Sequence, residues 1–136
     1  MSRPSASAHS LIVKSYRDLS TSQEEGKFVL LGKGKALHLV FSPVVLTPYH
    51  ANIVYQYLEA EGRGRVEAIS NAGCRILSKA WGVFGGGHYQ VQPWLHHLSL
   101  HGKSTAFGKY RQELLAPFAD EICRRLGLEG YTLEMA

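Results

Sequence analysis

The residues best suited to chemistry in this sequence lie at a predicted helix start, in the run from Thr47 to Ile53. Thr47 can serve as the N-cap, and Pro48 suits the first helical position because its missing N–H would have no partner there. His50 would then be the third helical residue, among backbone N–H groups that have no partner inside the helix. A helix start attracts anions such as phosphate, and its partial positive charge favours a neutral imidazole. The segment therefore predicts a histidine able to accept a proton or attack phosphorus, with a merely structural helix-end histidine as the alternative.

A second candidate is the small-residue segment that begins at Gly102. Its sequence Gly-Lys-Ser-Thr ends like a nucleotide-binding P-loop, but that motif needs a glycine five positions earlier, where the chain has His97. Ser104, Ala106 and Gly108 are nevertheless small enough to let backbone N–H groups approach an anion. The segment is either an anion-binding loop or an ordinary turn between a strand and a helix. No serine-hydrolase elbow of the form G-x-S-x-G surrounds Ser104.

Three neighbouring histidines look at first like a metal site. His96 and His97 would point to opposite faces of a strand, whereas His97 and His101 would share a face. A zinc site needs more ligands than two, and no cysteine or carboxylate is close in sequence. We therefore interpret them as surface or core-edge histidines and predict no metal or other cofactor. Cys74 and Cys123 form no C-x-x-C pair, so both are interpreted as reduced and structural.

The composition is that of one ordinary globular domain. The chain has 136 residues, of which 45% are hydrophobic and 19% charged. Its net charge of +4, from 15 basic and 11 acidic residues, suits an anionic substrate. That charge is too small, and basic runs too few, to predict nucleic-acid binding. No apolar run is long enough to span a membrane and no signal peptide is recognisable, so we expect a cytoplasmic protein.

Hydrophobic periodicity predicts the elements that must position these candidates. A helix is expected over 48–61, and a second helical region over about 109–126 that restarts at Pro117. Strands are expected over 11–16, 27–31, 36–41, 65–70, 74–78, 94–101 and 131–135. The three adjacent glycines at 85–87 suggest a flexible hairpin tip, and less strongly a phosphate cradle. The fold class is therefore α+β: a loose segment 1–10, then a single domain 11–136 with a mixed, mostly antiparallel sheet of about six strands and two main helices packed on it.

Four short motifs, taken in order, resemble one family. They are GKFVLL at 26–31, YHANI at 49–53, GCRI at 73–76 and STAFG at 104–108. Together they are similar to the Janus/Ocnus family, which includes the small protein-histidine phosphatases. The resemblance spans roughly residues 26–135, and its most specific part is the Tyr-His-Ala-x-Ile helix start.

The resemblance implies a metal-independent enzyme that removes phosphate from phosphohistidine in proteins. It would act as a monomer on phosphohistidine-containing proteins, with no membrane or nucleic acid involved. His50 matches the catalytic histidine, acting as a general base or, alternatively, as a nucleophile. The other matching positions are the substrate-binding lysine at Lys27, the phosphate-binding loop at Ser104, Thr105 and Ala106, and a strand arginine at Arg75.

The sequence also departs from the family pattern. Asn52 stands where an aspartate is common, and residues 42–47 lack an expected basic residue. The glycine-rich stretch at 85–87 and the residues near 109–115 are additional. These differences concern substrate preference more than the reaction. The alternative function is a catalytically silent phosphate- or protein-binding module with the same fold.

Overall fold

A computed structural model describes residues 9–20, 24–70 and 72–136 of the chain. The described strands are β1 Ser10–Ser15, β2 Glu24–Lys33, β3 Ala36–Pro43, β4 Val66–Ser70, β5 Gly73–Ile76, β6 Trp81–Gln92, β7 His97–His101 and β8 Thr132–Met135. The helices are α1 His50–Val54, which continues as a π-helix Tyr55–Ala60, then α2 Gln112–Leu115, and α3 Ala119–Arg125. Short 3₁₀ turns occupy Pro93–Leu95 and Ala116–Phe118.

Six of these strands form one sheet, in the order β1-β3-β2-β6-β7-β8. The central pairs β3–β2, β2–β6 and β6–β7 are antiparallel, whereas the outer pairs β1–β3 and β7–β8 are parallel. Strands β4 and β5 make a separate hairpin. The predicted α+β class, with a mixed and mostly antiparallel six-stranded sheet, is therefore confirmed. Within the described ranges, no helix has the length and apolarity needed to cross a membrane.

The sheet separates two hydrophobic cores, because successive side chains of a strand point to opposite faces. On β2, Phe28 and Leu30 pack into the core that α2 and α3 cover. The alternate residues Val29 and Leu31 pack into the other core, against Ile53 of α1. The helix that carries His50 thus lies on a different face of the sheet from the C-terminal helices.

The expected hairpin tip at residues 85–87 is wrong, because these glycines lie inside β6, the longest described strand. Their lack of side chains allows other backbone to come close. A Cβ at Gly86 would lie 2.7 Å from the carbonyl oxygen of Phe28, and one at Gly87 would lie 2.6 Å from that of His101. Gly85 has φ +99° and its missing Cβ would collide with the backbone of Lys109. Three consecutive glycines therefore mark a crowded strand here, not a mobile turn.

Most other boundaries agree with expectation. The second helical region restarts around Pro117 as predicted, and Gly127 ends it with φ +76°. Strand β2 begins at Glu24, three residues before the strand expected from residue 27, and residues 21–23 lie outside the described ranges. Of the segment expected to be loose, residues 1–8 also lie outside them, whereas Ser10 begins β1. The strand expected from residue 94 begins at His97.

Candidate functional site

The helix that carries the candidate histidine begins two residues later than predicted. Its N-cap is Tyr49, whose backbone N–H donates to the Oδ1 atom of Asn52 at 3.0 Å. The N–H of Asn52 donates in return to the carbonyl of Tyr49 at 3.0 Å. Thr47, expected as the cap, instead donates its hydroxyl to the carbonyl of Pro43 at 3.4 Å. His50 is therefore the first residue of α1 and not the third, and the amide of Asn52 accepts the bond that a carboxylate would accept.

His50 is buried, with 6% of its surface exposed. Its Nε2 lies 2.8 Å from the carbonyl oxygen of Gly87, which can only accept, so Nε2 carries the proton and Nδ1 is left as the acceptor. Burial lowers the pKa of His50 to about 4, and the electrostatic effects of the Lys27 ammonium and of the neighbouring His88 act in the same direction. The Gly87 carbonyl opposes this shift. The imidazole is neutral at pH 7, as expected, but burial is the principal cause.

Ser104 begins a tight loop that closes on itself. Its N–H donates to the carbonyl of Gly108 at 3.1 Å, and the N–H of Gly108 donates back at 2.8 Å. The Ser104 hydroxyl accepts from the N–H of Phe107 at 3.1 Å. The Ser104 N–H therefore is not available to an anion, contrary to expectation. The N–H groups of Thr105 and Ala106 have no acceptor within the described ranges, so these two can serve as anion donors.

Lys27 connects the central sheet to the start of α1. Its ammonium donates to the carbonyl oxygen of Pro48 and lies 5.5 Å from the centre of the Tyr49 ring. Lys27 is therefore held beside the helix start instead of extending freely into solvent.

These parts meet at Gly86. A Cβ on Gly86 would lie 2.9 Å from Cδ2 of His50 and 3.3 Å from Cβ of Ser104, so the two side chains pack on the same glycine. They border a cavity of about 320 Å³. Its lining residues are Lys27, Tyr49, His50, Ala72, His88, Lys103, Ser104, Thr105 and Ala106. The structure thus brings together His50, Lys27 and the 104–106 loop, which are distant in sequence.

Arg75 does not join this group. It is exposed on β5, where its guanidinium pairs with the carboxylate of Glu67 on β4. Among the described residues of that hairpin, Ala72 in its turn is the one that lines the cavity. The position suggested by the resemblance therefore lies outside the described lining of the cavity.

Sequence reasoning missed His88, which lies on β6 directly opposite Lys27. Its ring centre is 5.6 Å from that of His50 and 6.0 Å from that of His101. Burial lowers the pKa of His88, and the charges of Lys27 and His101 add to the effect. One signal could have identified the C-terminal part of β6: polar residues at 88, 90 and 92 alternate with apolar residues at 89 and 91.

The remaining histidines and cysteines do not form a metal site in the described part of the chain. No three His, Cys, Asp or Glu side chains converge there in a way that could hold an ion. His97 lies 2.9 Å from the carboxylate of Glu134, and His101 stacks on His88. Cys74 and Cys123 are both free thiols.

The cavity is suited to an anion. Among its described lining residues there are two lysines and two histidines but no carboxylate. No protein-family model matches the chain, and no curated protein matches it significantly in sequence.

Proposed function

We propose that this protein is a metal-independent phosphatase that hydrolyses the phosphorus–nitrogen bond of phosphohistidine in proteins. The observation that carries the proposal is His50: a neutral imidazole of fixed tautomer at a cavity whose other groups attract anions. An anion-binding cavity needs no such base for binding alone. A neutral nitrogen acceptor beside a bound phosphoryl group is what hydrolysis requires.

The cavity offers the means to hold a phosphoryl group. In phosphoryl transfer most of the catalytic effect comes from positioning and from neutralising charge on the equatorial oxygens. The N–H groups of Thr105 and Ala106 can donate to those oxygens, and the ammonium groups of Lys27 and Lys103 supply positive charge. His88 adds a further nitrogen donor beside Lys27.

In the proposed step a water oxygen forms a bond to phosphorus as the phosphorus–nitrogen bond breaks. Nδ1 of His50 accepts the proton that the water loses and can return it to the departing imidazole nitrogen, so the products are histidine and phosphate. A positioned base of this kind contributes about 10²- to 10⁴-fold to the rate. In the alternative within the same class, Nδ1 attacks phosphorus itself and forms a transient phosphohistidine on the enzyme.

A second candidate function is a phosphate- or protein-binding module without turnover. It is favoured by the low pKa of His50, about 4, because so weak a base accepts a proton less readily than one titrating near pH 7. A bound dianion would raise that pKa, which restores basicity in the complex.

The test is the release of phosphate from a phosphohistidine peptide with EDTA present, for the wild type and for His50→Gln. Glutamine is the informative replacement because its amide can still donate to the Gly87 carbonyl, whereas alanine would leave a cavity and an unpaired carbonyl. We expect kcat/KM to fall at least ~10²-fold in His50→Gln. His97→Gln, which changes a histidine paired with Glu134 outside the cavity, is the matched control and should retain activity.

Absence of turnover in the wild type would favour the binding module, and full activity in folded His50→Gln would remove His50 from the mechanism. Radiolabelled substrate separates the two chemical roles under single-turnover conditions. Acid-labile label on His50 would identify a nucleophile, and its absence would support the base.

A further inference from the structure

The loop between β3 and α1 exposes three consecutive aliphatic side chains. Val44 is 47% exposed, Val45 75% and Leu46 53%. Single exposed apolar residues are common on protein surfaces, but a contiguous apolar group is typical of a binding surface. We call Val44, Val45 and Leu46 the apolar loop.

The backbone of this segment is fixed at both ends. The N–H groups of Leu46 and Thr47 both donate to the carbonyl of Pro43, at 3.0 and 3.1 Å. Pro43 is the last residue of β3, and the buried Thr47 leads into α1. The turn therefore holds its aliphatic side chains outward, where they have no place in either core.

The apolar loop adjoins the candidate site through Val44. Tyr49, which is 43% exposed, lines the cavity that contains His50. Val44 lines a second depression of about 200 Å³, and His88 is shared between this depression and the cavity. A continuous surface thus leads from the anion-binding cavity past His88 to Val44.

We propose that the apolar loop docks the polypeptide around the phosphorylated residue and selects substrates with an aliphatic side chain next to the phosphohistidine. This inference rests on the proposed function and specifies its substrate class. The cavity takes the phosphoryl group, and the apolar loop takes the neighbouring side chain of an extended peptide. The absence of a basic residue from 42–47 agrees with an apolar, and not acidic, neighbour.

The size of the surface favours a peptide over a second copy of this chain. A stable protein dimer buries about 800 Å² on each partner. Three partly exposed aliphatic side chains supply only a small part of that area, but they are sufficient to anchor one or two side chains of a short segment.

The experiment is a double-mutant cycle on peptide binding that does not depend on turnover. The probe is a fluorescein-labelled peptide, Gly-Ser-Leu-X-Leu-Ser-Gly, in which X is the non-hydrolysable phosphohistidine analogue phosphoryltriazolylalanine. A second probe has serine in place of both leucines. For the wild type we expect the leucine-to-serine change to raise Kd at least tenfold, and for the double variant Val45→Ser/Leu46→Ser less than twofold.

Leu95→Ser is the matched control, because Leu95 is 61% exposed in the turn between β6 and β7 and is not among the described residues that line the cavity or the depression beside Val44. It should retain the wild-type preference for the leucine peptide. If the leucine-to-serine change in the peptide raises Kd equally for the wild type and for Val45→Ser/Leu46→Ser, the proposal would be overturned. So would a wild-type dimer that the double variant converts to a monomer, since the apolar loop would then be a self-association surface.

Hydrolysis of free phosphohistidine, which has no flanking residues, separates this inference from the proposed function. The docking role alone would be overturned if the wild type hydrolyses free phosphohistidine but its preference for the leucine peptide does not depend on Val45 and Leu46. If the leucine preference does depend on Val45 and Leu46 but free phosphohistidine is not hydrolysed, the phosphatase activity would be overturned and a peptide-binding module would remain. Wild type and Val45→Ser/Leu46→Ser should hydrolyse free phosphohistidine at equal rates, because neither exchanged side chain lines the cavity.

Discussion

His50 shows how one side chain can be structural and chemically available at once. Its Nε2–H satisfies the Gly87 carbonyl and fixes the ring, and this same bond defines Nδ1 as the nitrogen that remains free to accept a proton. Burial then keeps the ring neutral, whereas a helix-end dipole alone would have a smaller effect. The site thus has a preset tautomer before any ligand binds.

The lowered pKa of His50 predicts a specific loss of stability in acid. The imidazole titrates near 6.5 in the unfolded chain but at about 4 in the folded protein, so the unfolded state binds a proton first as pH falls. The stability due to neutral His50 is complete above about pH 6.5 and decreases as pH falls towards 4. Between pH 7 and 4.5 we expect the free energy of unfolding to fall by about 2 kcal/mol more in the wild type than in His50→Gln. Urea unfolding at the two pH values measures this difference, and equal decreases in both proteins would contradict it.

His88 predicts a pH dependence of anion binding. Burial, Lys27 and His101 lower its pKa, so His88 is neutral in the free protein at pH 7, but a dianion in the cavity would favour its protonated form. Sulfate is the suitable probe because its charge is constant between pH 5.5 and 8. We expect sulfate to bind about fivefold more tightly at the lower pH, and His88→Gln to reduce this change to less than about twofold. Calorimetric titration measures both, with His97→Gln as the control, and an unchanged pH dependence in His88→Gln would assign the proton uptake to another group.

At the scale of elements, β6 is the part of the fold on which the site depends most. The start of α1 and the 104–108 loop both pack on it, and they can do so because Gly86 has no side chain between His50 and Ser104. Its neighbour Gly87 provides the carbonyl that holds His50. The strand therefore contributes through its backbone and through the absence of side chains.

Gly86→Ala should consequently damage both stability and activity. The added Cβ would lie 2.7 Å from the Phe28 carbonyl oxygen and 2.9 Å from the His50 ring, and backbone atoms cannot move aside cheaply. We expect a loss of about 1–3 kcal/mol in the free energy of unfolding, and a lower kcat/KM in the folded protein. Gly82→Ala on the same strand is the matched control, because its Cβ would meet only the Phe84 ring at 3.9 Å. If the two alanine variants have equal stability and activity, the close approach at Gly86 has no functional importance.

The elements predicted correctly from sequence are those whose signals are local. The spacing of Ile53, Tyr57 and Leu58 identifies the first helix, and Pro117 identifies the break in the second, without any knowledge of the rest of the fold. The position of β6 depends instead on distant backbone, since Lys109 and His101 come close to glycines that are remote in sequence. His88 was missed for the same reason, because its position beside Lys27 follows only from the pairing of β6 with β2. Close approach of distant segments leaves no periodic signal in one sequence.

At the scale of the whole molecule, the candidate site lies on one face of the six-stranded sheet. Lys27 and His88 point to the face on which α1 packs. The core that α2 and α3 cover lies on the opposite face. The C-terminal helices are thus separated from the candidate site by the full thickness of the sheet. This arrangement predicts that the two cores affect function differently.

Two buried residues of similar size test this separation. Ile53 in α1 and Leu115 in α2 are both fully buried, one in each core. Either change to alanine should cost about 2–5 kcal/mol in the free energy of unfolding, because each leaves a cavity in a well-packed core. Ile53→Ala should also lower kcat/KM about tenfold or more, since it loosens the helix that orients His50 and small displacements of a catalytic group are costly.

Leu115→Ala, in contrast, should keep kcat/KM within about twofold of the wild type, because none of the described residues that line the cavity belongs to the core that it disturbs. Urea unfolding gives the stabilities, and hydrolysis of phosphohistidine is measured at a temperature at which circular dichroism shows both variants folded. If either alanine variant does not fold, Ile53→Val and Leu115→Val provide the same comparison at about 1 kcal/mol each. An equal loss of activity from the two cores would mean that the sheet transmits disturbances through its thickness, and that the face bearing His50 is not mechanically independent of the helices behind it.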